Sequence, residues 1–449
     1  MMERGVVVGG SIAGLLAARV LSDHAREVVI VERDRFPDTP AFRAGVPQAR
    51  HAHVLLERGR QIIESLFPGI VQEMVSDGGR LYDVCRDFSF VTWAGDAVRF
   101  EAGIPFLAVS RPFLEHHVRR RVLALPNVTF RAETRLVGLD GDATRVTGVK
   151  TQDDTISADL VVDASGRESK SHEWLQALGV EPPGVTIVKP YVGYASRIYE
   201  TPKSDVWDRV ALIASGIAPV YTRGLGMVPI ENGRHLVTLI GVNRDYPPTD
   251  EAAFTAFARS IPLPDFHAWL AAARPLSDIN GFRFEQNRLR HFESCALPAG
   301  FIALGDAVAS FNPIYGQGMS TAAIGAEVLA GVLRKPPPAA RLSRVFQARL
   351  AKALKEPWNA TTTEDLRLRG TEGKRTFAHR IGYAYLDRLF VLAAKHPDVR
   401  RTLMEVFGMI KPASTLFRLP LALRAMRTSI PRGVVRPQHA PISVAPYAP

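Results

Sequence analysis

The sequence predicts an α/β fold: a βαβ-type domain assembled from discontinuous segments, a mostly antiparallel β-sheet domain inserted into it, and a C-terminal helical region. Three observations predict it. The apolar run Val6–Val8 breaks at a glycine turn into helical apolar spacing at Ile12, Leu15, Leu16 and Val20, and a second apolar run, Val28–Val31, ends at Glu32. The same order of strand, turn and helix returns at 301–333, "FIALGDAVASFNPIYGQGMSTAAIGAEVLAGVL". Between the two lie strand-like runs bounded by turn signals.

Taken in order, residues 1–75 form the first segment of the α/β domain and 76–100 supply strands to the inserted domain. Residues 101–185 return to the α/β domain. There the helix-like "SRPFLEHHVRRRV" precedes "VTFRAETRLVGLD", "VTGVK" and "LVVDASG", and the turns "DGD" and "QDD" make these a meander that rejoins the main sheet. Residues 186–291 are the inserted domain, with the runs "TIVKPYVGYASRIYE", "LGMVPIENGRHLVTLIGV" and "INGFRFEQNRLRHFE" and one helical insert around 251–273. Residues 292–335 close the α/β domain. Beyond the proline-rich "RKPPPAA", 336–430 read as helical and 431–449 as a loose tail.

Composition narrows the function classes. A chain of 449 residues exceeds the ~250–300 at which single cores stop growing, so more than one core is expected. The +11 net charge comes largely from arginines scattered without a lysine-rich run, which argues against a nucleic-acid partner. Two distant cysteines, Cys85 and Cys295, without a CxxC pair, imply a reducing cytoplasm and no metal site. Glycines interrupt the apolar stretch 6–21, and no run reaches the ~18–20 residues of a membrane span, so no integral membrane contact is expected.

"VVVGGSIAGL" (6–15) is a dinucleotide fingerprint with serine in place of its second glycine. Gly9 serves the tight turn and Gly14 the close packing of helix on strand. Ser11 is small enough to stand near a pyrophosphate, and its hydroxyl is expected to donate to a phosphate oxygen at the helix N-terminus. Glu32, about 20 residues on, suits the adenosine ribose. These residues predict an adenine dinucleotide without deciding between NAD and FAD.

"GDAVASFNPIYGQGMS" (305–320) narrows the choice. It places an acid, Asp306, just after a buried strand and a Gly-x-Gly turn at a helix start, suited to polyol hydroxyls and to a flat ring that becomes anionic on reduction. This segment resembles the "GD" motif of FAD-dependent monooxygenases of the para-hydroxybenzoate hydroxylase type. "LVVDASGRES" (160–169) resembles their "DG" motif, "FRAGVPQARHAHVLL" (42–56) their flavin-contacting arginine loop, and "SRPFLEHHVRRRV" the helix whose first arginine nears the cofactor. The wider pattern is similar to actinobacterial flavoproteins of polyketide pathways, including polyether epoxidases.

The resemblance implies a Rossmann-like FAD-binding domain of the GR2 type with FAD held non-covalently. Gly9, Ser11 and Gly14 would meet the pyrophosphate, Glu32 and Arg33 the adenosine end, and Arg43 and Arg111 the phosphate or ribityl side. Asp306 would hold the ribityl chain, while Pro313, Gly316, Gly318 and Met319 would border the isoalloxazine. Asp163 and Arg167 would brace the pyrophosphate loop and assist NADPH. NADPH, or a partner flavin reductase, would reduce the flavin, and a C4a-hydroperoxide would epoxidise or hydroxylate a hydrophobic small-molecule substrate of polyketide type. The cofactor carries that chemistry, so no protein catalytic residue is assigned.

Several residues have plainer readings. His51 and His53 fix the arginine loop more readily than they titrate, and His116 and His117 read as structural. Tyr191, Tyr194, Tyr199, Trp207, Phe282 and Phe284 suit either core or substrate wall, and as a group favour a bulky apolar substrate. "TLFRLPLALRAMRTSIPRG" is expected to pack on the flavin domain rather than lie on a membrane. The rival function is a redox-neutral flavoprotein cyclase of [4+2], decalin-forming type with FAD as scaffold, left open because Ala164 and Ser165 interrupt the "DG" motif. A related prenyl-chain reductase shares the cradle, and a halogenase would need a WxWxIP motif that is lacking here.

Overall fold

The computed structural model describes residues 1–202, 210–214 and 221–430. Its main sheet has five strands in the order Phe301–Ala303, Leu160–Asp163, Met2–Val8, Ala25–Val31, Val128–Arg131. Every neighbouring pair is parallel. A parallel sheet is covered on both faces. Hence Val6, Val7, Val28, Ile30, Val161 and Val162 are all buried, and these strands read as unbroken apolar runs rather than alternations. Helix Ile12–Ser22 packs between this sheet and helix Gly318–Leu333.

Register decides where the chemistry collects. Val8 lies beside Val31 and Asp163, and Asp163 beside Ala303, so four parallel strands end at one edge. That edge receives Gly9–Ser11, Glu32, the 164–171 loop and Asp306, as the ligand rule for open α/β sheets requires. The expected meander forms a separate three-stranded antiparallel sheet (Leu136–Gly141, Val146–Thr151, Thr155–Ser157), after which the chain rejoins the main sheet at Leu160.

The inserted domain is an eight-stranded sheet built around Val192–Glu200, Arg234–Gly241 and Arg223–Ile230. It is antiparallel except where Ala211–Ala214 runs parallel to Phe88–Thr92. Two sequence expectations change here. The single helical insert is two helices, Glu251–Ser260 and Pro264–Ala272, because the fixed φ of Pro264 starts a new helix. The run 186–200 is two strands: Val185–Val188 pairs with Asn287–Arg290 in a small sheet, and Val192–Glu200 joins the large one after a turn at Pro190 and Tyr191 (φ 51°).

Helix Ala339–Arg367 runs along Gly318–Leu333, and helices Phe377–Ala393, Pro397–Phe407 and Leu419–Arg427 form a satellite core with Cys85 and Ile104. Fully buried Arg400 ties that unit to the inserted domain by donating to the carbonyls of Ala97 (3.0 Å) and Phe88 (2.8 Å). The expected packing of 415–433 on the flavin domain is corrected for 415–430, the part within the described residues. Helix Leu419–Arg427 rests instead on Phe377–Ala393, burying Ala425 and leaving its apolar stripe in solvent. Residues 431–449 and Trp207 lie outside the described residues.

Candidate active site

The turn after Met2–Val8 leaves no room for side chains. Gly9 has φ 102°, and a Cβ there would stand 2.6 Å from the Ala164 carbonyl oxygen; one on Gly14 would stand 1.8 Å from the Gly9 oxygen. The chain at this edge is therefore bare backbone facing a helix start that no side chain caps. Glu32 is buried and held from both sides, its Oε2 accepting from the Gly10 amide (2.8 Å) and its Oε1 from the Asp34 amide (3.0 Å). Arg33 is exposed at the cavity rim.

Arg43 and Arg111 are not free cations awaiting a phosphate. Arg43 pairs with Glu32 (3.2 Å), Asp34 (3.0 Å) and Glu115 (2.9 Å). Arg111, first residue of helix Arg111–Leu123, reaches Glu115 one turn on (3.3 Å) and donates to the Ser11 hydroxyl (2.8 Å). The Ser11 hydroxyl, expected to donate to a phosphate, here donates to Glu115 Oε2 (2.7 Å). Burial alone would raise the Glu115 carboxyl, but the Arg111 and Arg43 charges and the Ser11 hydroxyl overcome it and hold it below its usual range. Arg43 Nη2 and Arg111 Nε remain buried without a hydrogen-bond partner.

Across the edge, fully buried Asp163 accepts from the Ser165 amide (3.0 Å) and from the Ser165 and Ser169 hydroxyls, folding the 164–171 loop back on its strand. Asp163 is thus a loop brace set back from the cavity. Arg167 lies 4.5 Å over the Phe284 ring, with its carbonyl held by Arg288. Asp306 faces the cavity and makes no hydrogen bond to any described residue; burial pushes its carboxyl upward, against the pull of Arg111, Arg167 and Arg288. Pro313–Tyr315 is a single 3-10 turn, Gly316 (φ 65°) reverses it, and Gly318 opens the next helix uncapped by any side chain, with Met319 packed behind.

One network beneath that turn was not legible in the sequence. Asp365, near the end of helix Ala339–Arg367, accepts from Asn287 (2.6 Å), Asn312 (2.7 Å) and the Tyr315 hydroxyl (2.9 Å), and Tyr194 donates to Asn312 (3.2 Å). Burial pushes the Asp365 carboxyl up to about 6. The loop histidines are equally engaged. His53 Nδ1 donates to the His51 carbonyl (2.9 Å), and His51 Nδ1 meets the Ser196 hydroxyl (2.8 Å). Burial, with Arg111 and Arg50 nearby, pushes them down to about 3 and about 4 respectively, so both rings are neutral. His117 bridges Asp77 and the Phe113 carbonyl.

A cavity of about 830 Å³ joins these parts, running from Gly9 and Glu32 past Asp306 to Val54, Phe282, Phe284, Phe311 and Pro313. That size lies within the roughly 300–1,000 Å³ of cofactor and ligand sites. Of the candidate wall aromatics, Phe282 and Phe284 line it, and Tyr194 stacks behind Phe282. Tyr199 does not, being packed on Trp269 in the inserted domain's own core, and the Tyr191 hydroxyl turns to Glu372. The bare cradle, the Arg43 and Arg111 side chains on the cavity wall and the unpartnered Asp306 fit a long ligand with an anionic middle and a polyol chain. Glu115 was the residue missed in a quoted motif, and its i,i+4 spacing from Arg111 was the available signal. Among the described residues no group of three His, Cys, Asp or Glu could hold a metal, and no helix is long and apolar enough to cross a membrane.

Comparison with known proteins places the chain in a family. Residues 4–336 match the family model described as FAD binding domain. The chain is 36% identical over 352 residues to Protein Rv3254 of Mycobacterium tuberculosis, covering 74% of this chain and 73% of that one. It is 26% identical over 414 residues to kynurenine 3-monooxygenase of Salinispora arenicola, covering 86% and 84% respectively. The flavin-dependent brominase Bmp2 shares the fold at TM-score 0.64 and 15% identity over 90% of this chain and 92% of that one. The chain therefore belongs to the FAD-binding domain family, the FAD-dependent oxidoreductases of the para-hydroxybenzoate hydroxylase type.

Proposed function

We propose that this protein is a monooxygenase, an epoxidase or hydroxylase, that acts on a bulky apolar polyketide-like natural-product intermediate and draws its electrons from NADPH. The observation that carries the reading is the continuity of one cavity from the glycine cradle, past Asp306, to a wall of Val54, Phe282, Phe284 and Phe311. In this reading the Gly9–Gly14 turn and the helix N-terminus hold the pyrophosphate, with Ser11 acting by its size. Glu32 and Arg33 hold the adenosine end, and Asp306 accepts from the ribityl hydroxyls. Arg43 and Arg111 supply positive charge on the phosphate and ribityl side, while Asp163 and Arg167 brace the pyrophosphate loop.

FAD, when bound, supplies the electron and oxygen chemistry. The protein's part is to orient and to exclude water. Pro313, Gly316 and Gly318 would border the isoalloxazine, and the uncapped amides at the start of helix Gly318–Leu333, with Met319 packed behind, would favour negative charge there. Phe282 and Phe284, on the cavity wall, would exclude water from it. His51 and His53 stay neutral and hydrogen-bonded, holding the arginine loop rather than moving protons.

The test is to mix the purified, flavin-loaded protein anaerobically with NADPH and then with oxygen while following flavin absorbance. Rapid bleaching followed by oxygen-dependent recovery is expected. A flavin that stays oxidised with NADPH and also with a partner reductase would overturn the reading in favour of a redox-neutral cyclase.

A further inference from the structure

We propose that the C-terminal helical unit seats this protein on an anionic membrane surface. Helix Leu419–Arg427 is amphipathic, and its apolar side faces outward. Leu419, Leu423 and Met426 follow at i, i+4 and i+7, on one face, and all are exposed, Leu419 at 70% and Met426 at 66%; Ile430, past the helix end, is exposed as well. A globular protein ordinarily turns such a stripe into its core. The ridge continues through Phe417, itself exposed, which stacks on Tyr385 (ring centroids 5.0 Å apart); Ile381 and Phe377 lie one and two turns before Tyr385 and are also exposed.

Charge selects the occupant. In 373–386 and 406–430, the segments that carry this ridge, every fully charged side chain is Lys or Arg, with no Asp or Glu. Arg424 is paired to Asp398, whereas Arg380, Arg418 and Arg427 make no ion pair among the described residues. Apolar side chains projecting between unpaired cations match the acyl and phosphate layers of an anionic leaflet. A second copy of the chain would press this cationic rim against itself, since a two-fold interface places the same patch on both sides. The following residues, 431–449, add Arg432 and Arg436 and no acid, so they bring no neutralising charge. The attachment is peripheral and independent of the substrate the flavin site takes.

The experiment is co-sedimentation of the full-length, flavin-loaded protein with vesicles of phosphatidylcholine alone or mixed with phosphatidylglycerol. Binding to the mixed vesicles, weakened by salt and near background on phosphatidylcholine alone, is expected. The pair Arg418→Gln and Arg427→Gln should weaken it about fivefold for each cation removed. Leu419→Asp with Met426→Asp should abolish it. Both variants should keep flavin absorbance and thermal midpoint, because all four side chains are exposed. Failure of the wild type to bind mixed vesicles overturns the proposal. So does equal binding by the aspartate variant, a light-scattering dimer that this variant splits, or vesicle binding that emerges only when 431–449 are deleted.

Discussion

Replacing Glu115 by glutamine tests whether the arginines at the cofactor edge are held by one buried carboxylate. Glu115 is buried and meets Arg43 at 2.9 Å and Arg111 at 3.3 Å. Arg43 keeps Glu32 at 3.2 Å and Asp34 at 3.0 Å after the change, so it remains neutralised. Arg111 keeps the Ser11 hydroxyl and a neutral glutamine amide but no ion pair, and the cost falls on it. Leaving one buried charge without its partner costs about 3–5 kcal/mol, and the surviving hydroxyl contact places Glu115→Gln near 3 kcal/mol. Urea unfolding at pH 7, with coincident fluorescence and circular-dichroism transitions as the two-state check, measures it.

The pH dependence carries a sign. The folded protein holds this carboxyl below its ordinary value of 4.5, so its contribution is complete above that pH and disappears as pH falls through the folded value. Wild-type and Glu115→Gln stabilities should therefore converge in acid. A loss under about 1 kcal/mol at pH 7 would refute the reasoning, as would a gap that persists unchanged below the folded value.

Three further outcomes follow from the same geometry. Asp306→Ala should purify largely without flavin, read as the ratio of flavin to protein absorbance set against Asp306→Asn; full occupancy in the alanine variant would remove Asp306 from the ribityl site. Ser11→Gly should retain FAD, with Arg111 and Glu115 still paired, whereas Ser11→Leu should expel it; normal binding by the leucine variant, measured by flavin titration, would misplace the pyrophosphate. Asp365→Ala strands the donors of Asn287, Asn312 and Tyr315 and should cost about 2–4 kcal/mol. Because burial raises the Asp365 carboxyl from 3.8 to about 6, its protonated form is favoured in the fold, and this contribution is present below pH 3.8 and lost as pH rises through about 6. Thermal melts across that window should show this slope in the wild type and not in Asp365→Ala.

The parallel sheet and its cofactor edge were legible because both follow from local rules. Apolar runs of strand length, glycines where a Cβ would collide and an acid at the end of the second strand are recorded residue by residue. Apolar residues lie on both sides of the break within 251–273, and Pro262 and Pro264 are its local marks. Tyr199 was grouped with the wall aromatics because alternation along a strand says which residues share a face, but not which face meets the cavity.

The sequence by itself determined the α/β framework, the glycine cradle and the family, since each depends on short segments whose backbone conformation is constrained by their own side chains. Tertiary structure alone decided who neutralises whom. Glu115 stands 72 positions from Arg43, and Asp365 lies 53 positions from Asn312, in a helix that carries no motif. Charge pairing and amide satisfaction depend on distances of about 3 Å, and such distances between remote segments are set only when the packed core brings their elements together. The same holds for helix Leu419–Arg427, whose amphipathic pattern is plain in the sequence, while the direction of its apolar face is fixed by which side Ala425 buries.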